Sequence, residues 1–195
     1  MRKLWVLTAL LFLAGCSGET SQLDRAMTLR EKLLHCAGCN FTAEVTADFG
    51  DRTYSFALEC QGQTDGSLNF SVVKPDTISG IRGVLSAGGG KITFEEDRAV
   101  AFPMLAEGEV TPVSAPWLVY NTLRSGYIAA CGMEGELLRL TLNDSYEEEA
   151  LQVDVWLDDL NRPETAEILW RGRRILTVHV TNFQILWHFR SLCIG

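Results

Sequence analysis

Strict alternation of apolar and polar residues is the clearest pattern in this chain. In its first run the apolar positions are Phe41, Ala43, Val45, Ala47 and Phe49, and the polar positions are Thr42, Glu44, Thr46 and Asp48. A period of two residues predicts a strand with one buried face. The alternation resumes after Gly50 and Asp51 with Tyr54, Phe56 and Leu58, so the two runs predict a β-hairpin with one face in solvent.

Similar alternation recurs along the rest of the chain. It covers residues 68–72, 138–142, 151–157, 166–170 and 176–180, with a weaker strand over 78–85 and a short hairpin between 91 and 102. These runs amount to about ten strands joined by short polar turns. We therefore expect a mainly antiparallel α+β fold, in which a half-open curved β-barrel closes around its own apolar face.

A helix is predicted before the first strand. Ser21 and Asp24 fit the spacing of an N-terminal capping box. Six apolar residues then fall within about a third of the helical circumference: Leu23, Ala26, Met27, Leu33, Leu34 and Ala37. Gly38 is the expected end of this helix.

A second helix is predicted in the middle of the chain. Ser114 is its expected N-cap, Pro116 fits the first turn, and Gly126 is expected to end it in a left-handed conformation. One face carries Pro116, Val119, Tyr120 and Leu123, and the opposite face carries Leu118 among Asn121, Thr122 and Ser125. This helix is either a connector packed on a sheet edge or a lid over an apolar cavity.

The N-terminus has the layout of an export signal. Arg2 and Lys3 precede an apolar run of about ten residues, which is too short to span a membrane. The sequence Leu13-Ala-Gly-Cys16 resembles the bacterial lipobox, in which the cysteine is acylated and becomes the new N-terminus. We expect a signal peptide over residues 1–15, a lipid on Cys16, a tether over 16–21 and one domain over 22–195. The alternative is a plain secretory signal that contains a cysteine.

The charge of the chain narrows its range of partners. Removing Arg2 and Lys3 with the signal would take the formal net charge from -8 to -10. Such an acidic domain is repelled by nucleic acid and by anionic lipid headgroups. Residence at the membrane would therefore depend on the acyl chains, and the short tether would hold the domain at the membrane surface.

Six cysteines are present, and five remain if Cys16 carries lipid. Cys39 and Cys60 have the inward parity of their predicted strands, near the open end of the first hairpin, and we expect them to form a disulfide. A plain register around the Gly50-Asp51 turn leaves the pair one diagonal step apart, so the bond requires a bulge or shift. Cys131 and Cys193 are expected to be buried thiols or a second pair.

No constellation in the sequence predicts an enzyme. A Gly-x-Ser-x-Gly turn is absent, and Cys36-Ala-Gly-Cys39 with His35 lacks a second pair of metal ligands. Carboxylates bunch at turns, which is typical of solvated loops and less often of a cation site or a glycosidase pair. We expect no cofactor and no metal. Trp156 occupies a polar position of its strand, which indicates either a covering helix or a contact surface.

The order of elements resembles the LolA superfamily of lipoprotein carriers. The shared features are a capped N-terminal helix, long antiparallel strands, one mid-chain helix and further strands that end at 182–185. The superfamily includes mycobacterial lipid-binding lipoproteins of the LppX and LprG kind and the sensor RseB. The resemblance implies a concave apolar cavity for acyl chains, covered by residues 114–125, with no covalent chemistry.

Two functions follow from this resemblance. The first is a membrane-anchored, extracytoplasmic lipoprotein that binds a lipid or lipopeptide, with Trp117, Leu118, Tyr120 and Leu123 as lid contacts. The second is a sensor or interaction lipoprotein that docks an envelope protein while its own side chains fill the cavity. A lined cavity and a packed core use the same residues, so the sequence leaves both open.

Overall fold

The described part of the chain forms one curved antiparallel sheet with two α-helices. The computed structural model describes residues 17–93, 105, 110–146 and 151–187. Within them the elements are α1 Ser17–His35, β1 Gly38–Asp48, β2 Thr53–Gly62, β3 Leu68–Lys74, β4 Arg82–Ser86, β5 Gly89–Thr93, α2 Ala115–Ser125, β6 Tyr127–Glu134, β7 Leu137–Asn143, β8 Gln152–Leu157, β9 Pro163–Trp170 and β10 Arg173–Leu186.

All ten of these strands belong to one sheet in the order β5-β4-β3-β2-β1-β10-β9-β8-β7-β6. Each half is a meander, and the two halves meet where β1 pairs with β10. Inward residues alternate with outward ones, as β1 and β7 show, because side chains on a strand point to opposite faces. The expected half-open barrel with an N-terminal helix and a mid-chain helix is therefore confirmed.

The sheet buries its concave face in a single apolar core. Val45, Leu58, Leu140 and Ile168, one from each of four strands, are all at most 2% exposed. Helix α1 adds Leu29 and Leu33 to the same cluster. The core therefore joins both meanders to the helices.

The start and the buried face of α1 differ from the expectation. The helix begins at Ser17, four residues before the predicted capping box at Ser21. Leu29 and Cys36 are buried, whereas Leu23 and Leu34 are exposed, so the core-facing stripe is rotated relative to the predicted one. Helix α1 packs on α2 and on the edge strand β6, and the periodicity of α1 alone does not show where these partners lie.

Helix α2 lies where the sequence predicts it, with Ser114 at the N-cap position, but the contacts at both of its ends differ from the expectation. Ser114 belongs to a short 3-10 turn, where its hydroxyl bonds to the backbone of Thr111 and not to α2. Gly126 is extended, with φ -64° and ψ 157°, so the predicted left-handed stop is wrong. This position needs glycine for close packing instead: a Cβ there would lie 2.7 Å from the Thr122 carbonyl oxygen and 3.0 Å from that of Asn143.

The region around β4 also differs from the prediction. The expected strand over residues 78–85 is shorter, because residues 76–78 form a 3-10 turn and β4 begins at Arg82. Strand β5 agrees with the start of the predicted 91–102 hairpin, and the rest of that hairpin lies outside the described residues.

A buried carboxylate organises the β8–β9 turn, and other groups of that turn bond to α1. Asp158 accepts hydrogen bonds from the backbone N–H groups of Leu160 and Arg162 and from the Arg162 side chain. Arg25 of α1 donates to the Asp158 carbonyl oxygen at 2.8 Å and to the side chain of Asn161 at 2.7 Å. Burial acts to raise the pKa of Asp158, but the hydrogen bonds from Arg162 outweigh it and hold that pKa below its ordinary value.

Among the described helices, neither is both long and apolar enough to cross a membrane.

Gly126→Ala should destabilise the fold by about 1–3 kcal/mol, because the new methyl group would meet two backbone carbonyls at the end of α2. Gly132→Ala is the matched control, since a Cβ at Gly132 meets no atom within 4 Å. Urea unfolding of both variants measures the difference. Equal stability of the two would contradict the close approach.

Asp158→Asn should lower the free energy of unfolding at about pH 7 and matter progressively less in acid. The pKa of Asp158 is lowered on folding, so its stabilising contribution is present above its ordinary value of 3.8 and is lost as the pH falls through the folded value. Urea titrations between about pH 7 and pH 2 should show the two proteins converging. The exposed neighbour Asp159, changed to Asn, is the control. A gap that stays constant down to about pH 2 would rule out this role.

Candidate binding site

Helix α2 is buried on more than one side. It packs against α1 and against strands from both halves of the sheet. Leu118 and Thr122, on the face expected to be polar, are 4% and 0% exposed. The Thr122 hydroxyl bonds back to the Leu118 carbonyl oxygen at 2.8 Å, so this polar group is satisfied within the helix.

An apolar seam runs where α2 meets α1 and the ends of β1, β9 and β10. We define it by its lining residues, which are Leu33, Phe41, Val119, Tyr120, Leu123, Pro163, Val180 and Phe183. Its cavity volume is about 10 Å³, which is close to the space needed by one water molecule. Phe183 lies half-exposed at the seam, and its ring centroid is 6.2 Å from that of Phe41. The seam is therefore closed by the protein's own side chains.

Three side chains of α2 hold the helix to the turn between β2 and β3. Tyr120 donates from its hydroxyl to the Gln63 carbonyl oxygen at 2.8 Å, and Trp117 donates from Nε1 to the Gly66 carbonyl oxygen at 3.2 Å. Arg124 donates to the carbonyl oxygens of Gln63 at 3.2 Å and of Thr64 at 2.7 Å. We call Trp117, Tyr120 and Arg124 the latch. Every latch bond ends on backbone carbonyls of residues 63–66.

The turn is shaped to receive the latch. A Cβ at Gly62 would lie 2.6 Å from the Tyr120 ring, so the helix comes this close only because residue 62 has no side chain. Gly66 has φ +88°, a left-handed conformation that favours glycine. Asp65 accepts from the hydroxyl and backbone N–H of Ser67 at 2.7 and 2.9 Å, and these bonds lower its pKa.

Arg30 of α1 caps the C-terminus of α2. Its guanidinium donates to the carbonyl oxygens of Leu123 at 2.9 Å, Gly126 at 2.8 Å and Thr122 at 3.3 Å. A cation is favourable here because the last carbonyls of a helix carry partial negative charge. Burial lowers the pKa of Arg30 below its ordinary value. Helix α2 is thus held at its C-terminus by α1 and along its length by the latch.

The four predicted lid residues have three different surroundings, and Tyr120 belongs to both the seam and the latch. Tyr120 and Leu123 line the seam, while Trp117 serves the latch. Leu118 is a core residue, so an acidic substitution there would disrupt the fold and would not report on binding alone. Sequence reasoning missed Arg124 and Arg30, because only tertiary structure brings their charged ends to carbonyl groups.

Cys39 and Cys60 are thiols in this structure, and the predicted disulfide between them remains a prediction. Cys60 pairs with Phe41 and Cys39 with Gly62, in a register without the shift that the disulfide requires. Burial raises the pKa of Cys39 to about 12 and also raises that of Cys60. Both thiols are therefore protonated at neutral pH and are poor nucleophiles. Cys16 and Cys193 lie outside the described residues.

The other candidate groups have structural partners. Trp156 is half-buried under Arg139, whose Cζ lies 5.2 Å from the ring centroid, and its Nε1 donates to Glu134 at 3.2 Å. It is covered by an arginine and not by a helix. Arg139 also pairs with the buried carboxylate of Asp154 at 2.6 Å. Among the described residues, no three His, Cys, Asp or Glu side chains are grouped closely enough to hold a metal ion.

Several solved structures are similar in fold to this chain. A LolA superfamily protein from Nitrosomonas europaea is 9% identical, with a TM-score of 0.44, over 89% of this chain and 95% of its own. A DUF1329 family protein from Desulfovibrio piger is 7% identical, with a TM-score of 0.42, over 91% and 95%. A domain described as an outer membrane lipoprotein-sorting protein from Vibrio parahaemolyticus is 8% identical, with a TM-score of 0.39, over 84% and 91%.

No family model and no curated protein matches the sequence. The identities and TM-scores are too low to carry a function from these structures to this chain.

Tyr120→Phe should destabilise the fold by about 1 kcal/mol, because it removes one latch hydrogen bond and keeps the ring in place. Hydrogen exchange of the α2 amides should also become faster, since the helix is held less firmly. Tyr127→Phe is the control, because Tyr127 is half-exposed and lies on β6, away from the latch. Identical exchange in both variants would contradict the latch.

Proposed function

We propose that this protein binds an acyl-bearing hydrophobic ligand between its curved sheet and α2, without covalent chemistry or a cofactor. The observation that carries the proposal is the seam, whose lining is apolar throughout apart from the Tyr120 hydroxyl, and that hydroxyl is engaged in the latch. An acyl chain has no polar groups to satisfy, so a lining of this kind suits it. The present structure would be the closed state of the seam.

A seam of about 10 Å³ admits no ligand, so binding requires α2 to move from the sheet. The latch consists of four hydrogen bonds, each worth about 1 kcal/mol net. A buried acyl chain gains about 0.8 kcal/mol per methylene, so about five methylenes offset the loss of the latch. This balance applies when the acyl chain replaces the apolar contacts that α2 loses as it moves from the sheet.

The proposed place of action is the extracytoplasmic face of a bacterial membrane. The support is the sequence Leu13-Ala-Gly-Cys16 after an apolar run of signal-peptide length. Acyl chains on Cys16 would anchor the acidic domain and hold the seam near a source of lipid. A tethered protein of this kind would hold a ligand or pass it to a neighbour.

A second candidate function is favoured by the filled interior. Because its own side chains close the seam, the domain is stable without cargo, as an interaction module must be. In that case the protein would dock an envelope protein partner and carry no lipid.

Native mass spectrometry of residues 17–195, exported without Cys16, should show a bound mass that organic solvent releases. Omitting Cys16 excludes its own acyl chains as a source of that mass. A chain that stays free of ligand after incubation with a lipid extract would favour the interaction module.

Phe183→Ser should reduce the retained lipid several-fold, because it places a hydroxyl at the opening of the seam and removes the ring that packs on Phe41. Phe49→Ser is the matched control: Phe49 is also half-buried and packs on one aromatic ring, that of Tyr54, at the far end of β1. Lipid extraction at equal folded fraction compares the two. Equal loss of lipid in both variants would place the ligand elsewhere.

A further inference from the structure

The outer face of the sheet carries four carboxamide side chains in one line. Asn69 of β3 pairs directly with Gln61 of β2, Gln61 with Asn40 of β1, and Asn40 with Gln184 of β10. We call these four residues the amide row. Neighbouring strands lie about 4.8 Å apart, so the row presents an amide at each such step across the sheet.

A second row lies beside the first. Four further residues pair directly across neighbouring strands: Arg82 of β4, Ser71 of β3, Glu59 of β2 and Thr42 of β1. Each of them lies two residues along its strand from the line that the amide row follows. Together the rows line an open groove of about 520 Å³ on the face of the sheet opposite α2. A groove of this volume is in the range of small-molecule sites.

Folding does not explain the amide row. Asparagine is disfavoured in strands, where β-branched residues pack better, yet two of the four members are asparagines in mid-sheet strands. Within the part of the chain that the structure describes, none of the four carboxamides bonds to another protein group. Asn182 also borders the groove, but its φ of 55° is a left-handed conformation, which by itself accounts for an asparagine at this position.

The chemistry of the groove selects its ligand. Each carboxamide offers donors and an acceptor, which matches the hydroxyl groups of a sugar, since these also do both. Glu59 and Arg82 cancel in formal charge, and the chain as a whole is acidic, so a polyanion is disfavoured. The four strands of the row are paired on both sides, so no free strand edge is present for an added peptide strand.

We propose that the amide row and its neighbouring row bind a neutral oligosaccharide across the strands. The spacing of the row is close to the length of one sugar ring, so successive rings would meet successive amides. This site lies on the face opposite the seam and does not depend on lipid binding. An envelope protein with both sites would contact a glycan on one face while α2 covers the other.

The test is an NMR titration of the full chain in phosphocholine detergent, whose headgroup contains no sugar. The probes are the tetramers of N-acetylglucosamine and of glucose, both β-1,4-linked. The side-chain NH₂ signals of the amide row should shift with at least one probe, while those of Asn121 on α2 and Gln152 on β8 stay in place. The double variant Asn40→Ala with Gln61→Ala should bind about tenfold more weakly, and Asn121→Ala should bind as the parent does.

Two results would overturn the proposal. One is the absence of any shift in the amide row with both probes at millimolar concentration. The other is a shift caused instead by an unstructured neutral peptide of similar length, which would assign the groove to a polypeptide. The backbone amide spectrum checks that the double variant folds. We expect it to fold, because all four side chains of the amide row point outward and their removal leaves the core intact.

Discussion

The rest of this structure depends on the burial of the concave apolar face of the sheet. A ten-stranded antiparallel sheet that alternates apolar and polar residues has one apolar face that must be buried, and the curvature of the sheet alone does not bury it. Helix α2 covers that face, with Leu118, Val119 and Leu123 all nearly inaccessible to solvent. Helix α1 then lies against α2 and the β6 edge. The positions of both helices thus follow from one requirement, the removal of apolar surface from water.

Polar contacts decide how firmly α2 is held against the sheet. The latch and Arg30 satisfy backbone carbonyls with donors from α2 and α1, and they contribute far less energy than the apolar contacts beneath them. Directional hydrogen bonds fix α2 in one position relative to the sheet, whereas apolar contacts alone would allow the helix to slide along it. The proposed function requires a second position of α2 that a ligand stabilises, and a helix fixed by only a few such bonds suits that requirement.

The two faces of the sheet offer different chemistry. The inner face is apolar and closed, and the outer face near β1 presents amides, hydroxyls and two opposite charges in an open groove. The same alternation produces both, because each strand places its odd and even residues on opposite sides. A single curved sheet can therefore support a hydrophobic site and a hydrophilic site without a second domain.

Local sequence determined the strands and the existence of both helices. The β1–β2 hairpin follows from the alternation between Phe41 and Leu58, and the ten-stranded antiparallel fold follows from its repetition. The helical period places Tyr120 and Leu123 on one face of α2, and both line the seam, while their contact with a ligand stays a prediction. Periodicity and turn chemistry are local signals, so a single chain segment is enough to show them.

Tertiary structure decided what those elements do together. Leu118 was expected on a polar face, but α2 is enclosed on more than one side, which its own period does not show. Gly126 lies so close to the Asn143 carbonyl oxygen that a Cβ would come within 3.0 Å of it, and the register of β1 with β2 holds Cys39 diagonal to Cys60. The amide row arises only when β3, β2, β1 and β10 align. Each of these features depends on contacts between residues distant in sequence, and those contacts are set by how the whole sheet curves and packs.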